Sequence, residues 1–163
     1  MAEVQQVPEP TREHRLLKKR VGRWKVECTY YMNPAHPPLE VTATETVEMI
    51  GEFWARSHFV AEIEGSVLLG SSTVGYEPHR GKWVSTWIDN ATPALFLFEG
   101  DLDEETGTLE MTGSGPHPVT GETAQYRTVE TMLGPDRREF DMFITLATGD
   151  EMQMFSYVYS REG

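Results

Sequence analysis

Two residues in the middle of the chain, Trp87 and Asp89, have the types and spacing that acid–base chemistry needs. Side chains two apart on a strand share a face. If that face is the inner one, the Asp89 carboxyl sits beside an indole in a medium of low dielectric. Desolvation there raises a carboxyl pKa and fits it as a general acid or base. Tyr126 or Arg127 would then be its polar partner, and an isomerase, cyclase or hydrolase reaction would follow. A second reading competes. Asp89-Asn90 ahead of Ala-Thr-Pro is turn chemistry, in which the carboxylate accepts hydrogen bonds from nearby backbone. Both readings stay open from the residues alone.

The other reactive side chains offer less. Cys28, the only cysteine, falls on the apolar face of an alternating run with Trp24, Val26 and Tyr30, where a small buried thiol is inert. No Gly-x-Ser-x-Gly elbow is present. Gly113-Ser114-Gly115 has no helix-forming segment after it and reads as a hairpin turn rather than a phosphate loop. In residues 53–61 the apolar face carries Phe53, Ala55, Ser57, Phe59 and Ala61, which puts His58 on the outside. His14, His36, His79 and His117 fall in a helix or in turns at no metal-ligand spacing, so neither a metal nor a cofactor is expected.

These residues need elements to position them, and the texture of the chain supplies candidates. Residues 1–9 show no periodicity and read as a flexible N-terminal arm; residues 10–163 read as one domain, a size typical of single domains. Thr11 can cap a short helix, Glu13 suits its first turn, and His14, Leu17 and Val21 form one stripe, with Gly22 as a left-handed stop. After Gly22 the period changes to two. Turn-like clusters then recur at 33–38, Gly51, Gly65, 77–81, 89–93, 100–107, 113–121, 134–136 and 149–150. About ten segments of strand length lie between them, rich in Val, Thr, Trp, Tyr and Phe. The pattern predicts an all-β fold, a sandwich or a closed antiparallel up-and-down barrel; closure removes the exposed edges.

A barrel of more than about eight strands is too wide for side chains to fill. Phe96 and Phe98 share one strand face, and Phe155, Tyr157 and Tyr159 share another. With Trp87, Asp89 and Tyr126 they form the expected wall of a pocket for a small hydrophobic or aromatic ligand, and Met142, Met152 and Met154 add adaptable surface. On the last strand Met152, Met154 and Val158 read as a second apolar face, to be covered by the N-terminal helix or by a second copy in a homodimer.

A formal net charge of −12 repels nucleic acid and anionic lipid. Half of the basic residues lie within one stretch: Arg12, Arg15, Lys18, Lys19, Arg20, Arg23 and Lys25. They read as a solvated helix face or as a docking surface for an acidic partner. One cysteine forms no intramolecular disulfide, the N-terminus lacks a signal-like apolar core, and no run approaches the roughly 18 apolar residues of a spanning helix. A cytoplasmic protein without membrane or nucleic-acid partners is expected.

Gly22-Arg23-Trp24, opening a strand just after a short helix, resembles the Gly-x-Trp signature of lipocalins and their calycin relatives. The resemblance implies that Trp24 plugs the closed end of the barrel and that Arg161, at the end of the last strand, packs across its indole. A longer series resembles the bacterial family known as domain of unknown function 1579. It comprises Pro10, His14-Arg15-Leu16-Leu17, Val21-Gly22-Arg23-Trp24, Gly75-Tyr76, Thr86-Trp87-Ile88-Asp89, Pro118-Val119-Thr120-Gly121 and Tyr159-Ser160-Arg161. Gly51-Glu52 and His117 depart from that pattern, in turns. The resemblance implies a lipocalin-like barrel and carries no established activity. Haem binding, as in the related nitrobindin barrels, needs an inward histidine, and none lies on the last strands. Binding of a small apolar molecule inside the barrel is therefore the leading expectation, and catalysis through Asp89 in the same cavity is the alternative.

Overall fold

The structure, a computed structural model, describes residues 6–31 and 33–163. Residues 1–5 of the expected N-terminal arm lie outside the described residues, and residues 6–9 take no helix or strand. One short helix, α1 (Arg12–Leu17), leads through a 3-10 turn (Lys18–Arg20) into ten strands. They are β1 (Gly22–Tyr30), β2 (Leu39–Ile50), β3 (Trp54–Ile63), β4 (Ser66–Glu77), β5 (Lys82–Asp89), β6 (Phe96–Asp103), β7 (Thr108–Pro116), β8 (Thr123–Met132), β9 (Arg137–Thr145) and β10 (Glu151–Arg161). Each strand pairs antiparallel with its sequence neighbours, and β1 pairs with β10, so the sheet closes into an up-and-down barrel. No helix among the described residues is long and apolar enough to cross a membrane.

Period-two alternation fixes which residues face inward. On β1 the buried residues are Trp24, Val26 and Cys28, and on β3 they are Ala55, Ser57, Phe59 and Ala61. His58 is half-exposed on the outside, 3.8 Å from Glu48. On β10 the alternation breaks. A register shift between Gln153 and Phe155 inserts an extra residue, and a bulge of this kind turns both neighbours toward one side. Met152 therefore pairs with buried Ile144 and Met154 reaches the interior, and of the expected outer apolar face only Val158 remains, between Glu27 and Glu139. The second apolar face of β10 that called for a homodimer does not form.

The helix sits at the end of the barrel where β1 begins. Thr11 caps it: its hydroxyl accepts from the His14 N–H, and His14 Nδ1 accepts from the Thr11 N–H at 2.9 Å. That leaves the proton on His14 Nε2, which donates to the Tyr76 carbonyl at 2.8 Å, while the ring packs edge-on against Phe53. His14 and Leu17 are buried, but Val21 is 40% exposed. The 3-10 turn rotates it off the expected stripe. Gly22 is likewise not a helix stop. It opens β1 at φ +137°, and a side chain there would collide with the Arg161 guanidinium.

That guanidinium is the latch of the closed end. Its central carbon lies 4.2 Å from the Trp24 ring centroid. It donates to the carbonyls of Val21 (2.5 Å), Lys19 (2.7 Å) and Pro135 (3.0 Å), and its Nε to Asp136 at 3.1 Å. Trp24 itself is fully buried, and its indole N–H donates to the Arg20 carbonyl at 2.9 Å. One side chain thus ties the end of β10 to the start of β1, the helix end and the β8–β9 turn. Arg161→Ala should lower unfolding free energy by about 2–3 kcal/mol, through a lost cation–π contact and unpaired carbonyls. Urea denaturation followed by circular dichroism checks this; a loss below about 0.5 kcal/mol would show that the latch is dispensable.

Candidate functional site

The barrel encloses a cavity of about 970 Å³, near the top of the range for small-molecule sites. It runs from the helix-covered end, where Arg20, Glu45, Glu130 and Arg138 line it, to a mouth formed by residues 91–94 and 116–121. All seven residues expected to form the ligand wall line it: Trp87, Asp89, Phe96, Phe98, Tyr126, Phe155 and Tyr157. Register brings them together from four strands and their neighbours. Trp87 faces Phe96 across β5–β6, Phe98 faces Gly113, Gly113 faces Tyr126, and Phe155 and Tyr157 face Met142 and Phe140.

Tyr157 is the hub of the aromatic wall. Its ring stacks with Phe155 (centroids 4.5 Å), Phe59 (5.5 Å) and Phe140 (6.1 Å), and its hydroxyl bonds that of Tyr30 at 2.8 Å. Burial pushes the Tyr30 hydroxyl up to about 12 and the Tyr157 hydroxyl well above its ordinary value, so both stay neutral. Phe59 also meets Trp87 edge-on at 5.9 Å. Two glycines give the rings room: a side chain at Gly70 would run into Trp87, and one at Gly115 into Phe96. Hydroxyls are interleaved with the aromatics: Ser72 pairs with Trp87 and Ser85 with Phe98. Ser57 and Ser72 face each other with their oxygens 2.6 Å apart, and Ser85 and Thr128 continue the polar lining.

Asp89 faces inward at the mouth beside the Trp87 indole, and it also makes the turn that the residues after it announce. Its Oδ2 accepts from the Trp87 indole N–H at 2.8 Å, and its Oδ1 accepts from the backbone of Ala91 (2.9 Å) and Thr92 (3.0 Å). It therefore locks the indole orientation and shapes the β5–β6 turn. Arg127 is not its partner: alternation places it outside, over the Phe143 ring at 4.5 Å and bonded to Glu151. Tyr126 is inside, and its hydroxyl donates to the Pro116 carbonyl at 2.5 Å. His117 is the histidine at the mouth, with Nδ1 accepting from the Val119 and Thr120 N–H groups.

The floor is the part that the sequence reading missed. Arg138, 4% exposed, bonds Glu45 through Nη2 and Glu130 through Nη1 (3.4 Å), and Arg20 pairs with the other oxygen of Glu130. The Arg138 guanidinium lies 3.7 Å from the Tyr159 ring centroid and 5.0 Å from that of Trp24. Burial pushes the Glu45 carboxyl up, and Arg138 offsets this only in part. Burial acts on Glu130 too, but two guanidiniums outweigh it and hold that carboxyl below the usual range. The available signal was parity: Glu45 stands between Ala43 and Val47, Glu130 follows Tyr126 and Thr128, and Arg138 precedes Phe140 and Met142, all on inner rows.

The basic N-terminal stretch is largely neutralised within the chain. Arg12 pairs with Glu104, Lys18 with Glu52, Arg20 with Glu130, Arg23 with Glu162 and Lys25 with Glu27. Among the described residues, no group of three His, Cys, Asp or Glu side chains is placed to hold a metal ion.

A family model described as "Protein of unknown function (DUF1579)" matches residues 9–161. No curated protein matches the chain. Among solved structures, the M. tuberculosis protein Rv2717c is 14% identical with a TM-score of 0.70, over 95% of this chain and 100% of that one. The S-type phycobiliprotein lyase CPES from Guillardia theta is 15% identical with a TM-score of 0.62, over 94% of this chain and 99% of that one. At these identities the likeness is one of fold.

Cys28 stands beside this site without belonging to its lining. It is 2% exposed, and burial pushes its thiol up to about 12. At pH 8 the native thiol should react with iodoacetamide more than about a thousandfold slower than a free thiol. The rate should still climb about tenfold per pH unit up to pH 10, where a free thiol has levelled off. Mass spectrometry of timed samples checks this; native and denatured protein reacting at the same rate would contradict it.

Proposed function

The chain belongs to the family described as protein of unknown function DUF1579, and we propose that it binds a small, flat, apolar or aromatic molecule inside its barrel. The observation that carries the reading is the cavity itself: about 970 Å³ walled by Phe59, Trp87, Phe96, Phe98, Phe155 and Tyr157. A cavity of this size and lining is what drug-sized apolar ligands require. Rings held by stacking and by small neighbours such as Gly70 and Gly115 form a surface that is ordered before the ligand arrives, which lowers the entropic cost of binding. Met142 and Met154 supply the adaptable part of the wall.

Asp89 supports this reading over turnover. Its two oxygens already accept three hydrogen bonds, from Trp87, Ala91 and Thr92, an arrangement suited to positioning an indole. The likeness to a phycobiliprotein lyase concerns the barrel and not its reaction, so the proposal rests on this chain's own cavity.

The neutral fluorophore N-phenyl-1-naphthylamine should bind with a Kd on the order of 1–10 μM, quench tryptophan emission and brighten as it leaves water. Ser85→Trp, which puts a large side chain into the lining between Val74 and Phe98, should fold normally by circular dichroism and weaken binding by at least about tenfold. Absence of saturable binding to the wild-type protein, or full binding to a folded Ser85→Trp variant, would sink the proposal.

A further inference from the structure

Five Asp, Glu, Lys or Arg side chains line the cavity, and four of them cancel. At the floor Arg20 and Arg138 pair with Glu45 and Glu130, two cations against two anions. The fifth is Asp89, at the mouth. Its bonded partners are the Trp87 indole and the backbone N–H groups of Ala91 and Thr92, all neutral donors. They hold the carboxylate in place and leave its charge unmatched. Oδ2 accepts only the indole N–H, and a carboxylate oxygen has room for two donors, so one acceptor position is free.

That charge is felt inside the barrel. Asp89 stands on the inner row of β5 with Trp87 and is half-buried. Burial is the main cause that raises the Tyr30 hydroxyl, and the Asp89 charge adds to it. Tyr30 belongs to β1, four strands away around the barrel, so the field of the carboxylate crosses the interior. A separate feature has the same sign. The mouth is built by the loops after β1, β3, β5, β7 and β9, whose sequences contain Glu64, Glu122 and Asp150 and no Lys or Arg. An opening lined by one sign of charge concentrates ions of the other sign.

We propose that Asp89 is a cation-binding residue, and that the cavity takes aromatic molecules bearing a protonated amine, with the ammonium at the mouth and the rings farther in. This rests on the binding function proposed above and adds to it the charge and orientation of the ligand. An ammonium at Asp89 donates to the free position of Oδ2 and lies beside Trp87 and Phe96, which are paired across β5–β6 and whose ring faces also attract a cation. Because the site is at the opening, the ammonium keeps water on its outer side, and its desolvation stays small. A carboxylate on the same body would meet Asp89 and the acidic loops, with no unpaired cation at the floor to draw it inward.

Three probes share one aromatic body and differ at a single group: 2-naphthylmethylammonium, 2-naphthylmethanol and 2-naphthoate. Each is titrated at pH 7.5 in competition with N-phenyl-1-naphthylamine. The ammonium should bind at least about fivefold tighter than the alcohol and than the carboxylate. Asp89→Asn keeps an oxygen for the turn and removes the charge; it should bring the ammonium to the level of the alcohol, with the alcohol itself binding as in the wild type. The wild-type order stands as a test even if that variant does not fold. A smaller margin over either competitor, or an Asp89→Asn protein that binds the alcohol and keeps the margin, overturns the inference and leaves the binding function standing. If neither the reporter nor any of the three binds, both fail.

Discussion

Closing ten antiparallel strands on themselves pairs every strand edge, and the same closure makes an interior wider than side chains can fill. The other features of this molecule follow from that geometry. Each inner row can be apolar only as far as there is something to pack against, so rings stack on rings around Tyr157 and glycines are used where a ring must lie flat against the sheet. The space left over is continuous, opens at residues 91–94 and 116–121, and is closed at the other end by a short helix that would have no reason to fold without the barrel beneath it.

The closed end is where apolar packing gives way to charge. Trp24 lies among two guanidiniums, Arg161 and Arg138, and the second of these anchors the buried Glu45 and Glu130. Buried ion networks of this sort contribute little net stability compared with a packed apolar core, because their desolvation offsets their attraction. Here the network joins β2, β8 and β9 to the turn after the helix. The latch and the floor share one tryptophan, so the group that closes the barrel also fixes the polar end of the cavity. The opposite end is built from turns, and Asp89 connects turn to wall by holding Trp87.

Much of this was legible in the residues, and the limits have physical causes. Strict alternation on β1 and β3 predicted their inner faces, and Thr11 announced the helix, because both signals are local. The wall residues from Trp87 to Tyr157 were legible for the same reason, as aromatic pairs at period two. The bulge at Gln153–Phe155 left no such signal, and it moved Met152 and Met154 from the outside to the interior. Gly22 looked like a helix stop because its neighbours along the chain include a helix; its real constraint is Arg161, distant in sequence. Glu45, Glu130 and Arg138 sat on inner rows in plain view. Charged residues on an inner face have an explanation only when their partners on other strands are known, so pairing across the barrel had to come first.

The central claim is that the interior is a ligand site rather than an imperfectly packed core. A crystal structure of the protein grown with N-phenyl-1-naphthylamine tests it most directly. The account predicts density for one molecule inside the barrel, its rings against Phe59, Trp87 and Tyr157, with the strand register unchanged. Density confined to the outer surface, or an interior collapsed around the same side chains with no room for the molecule, would contradict it.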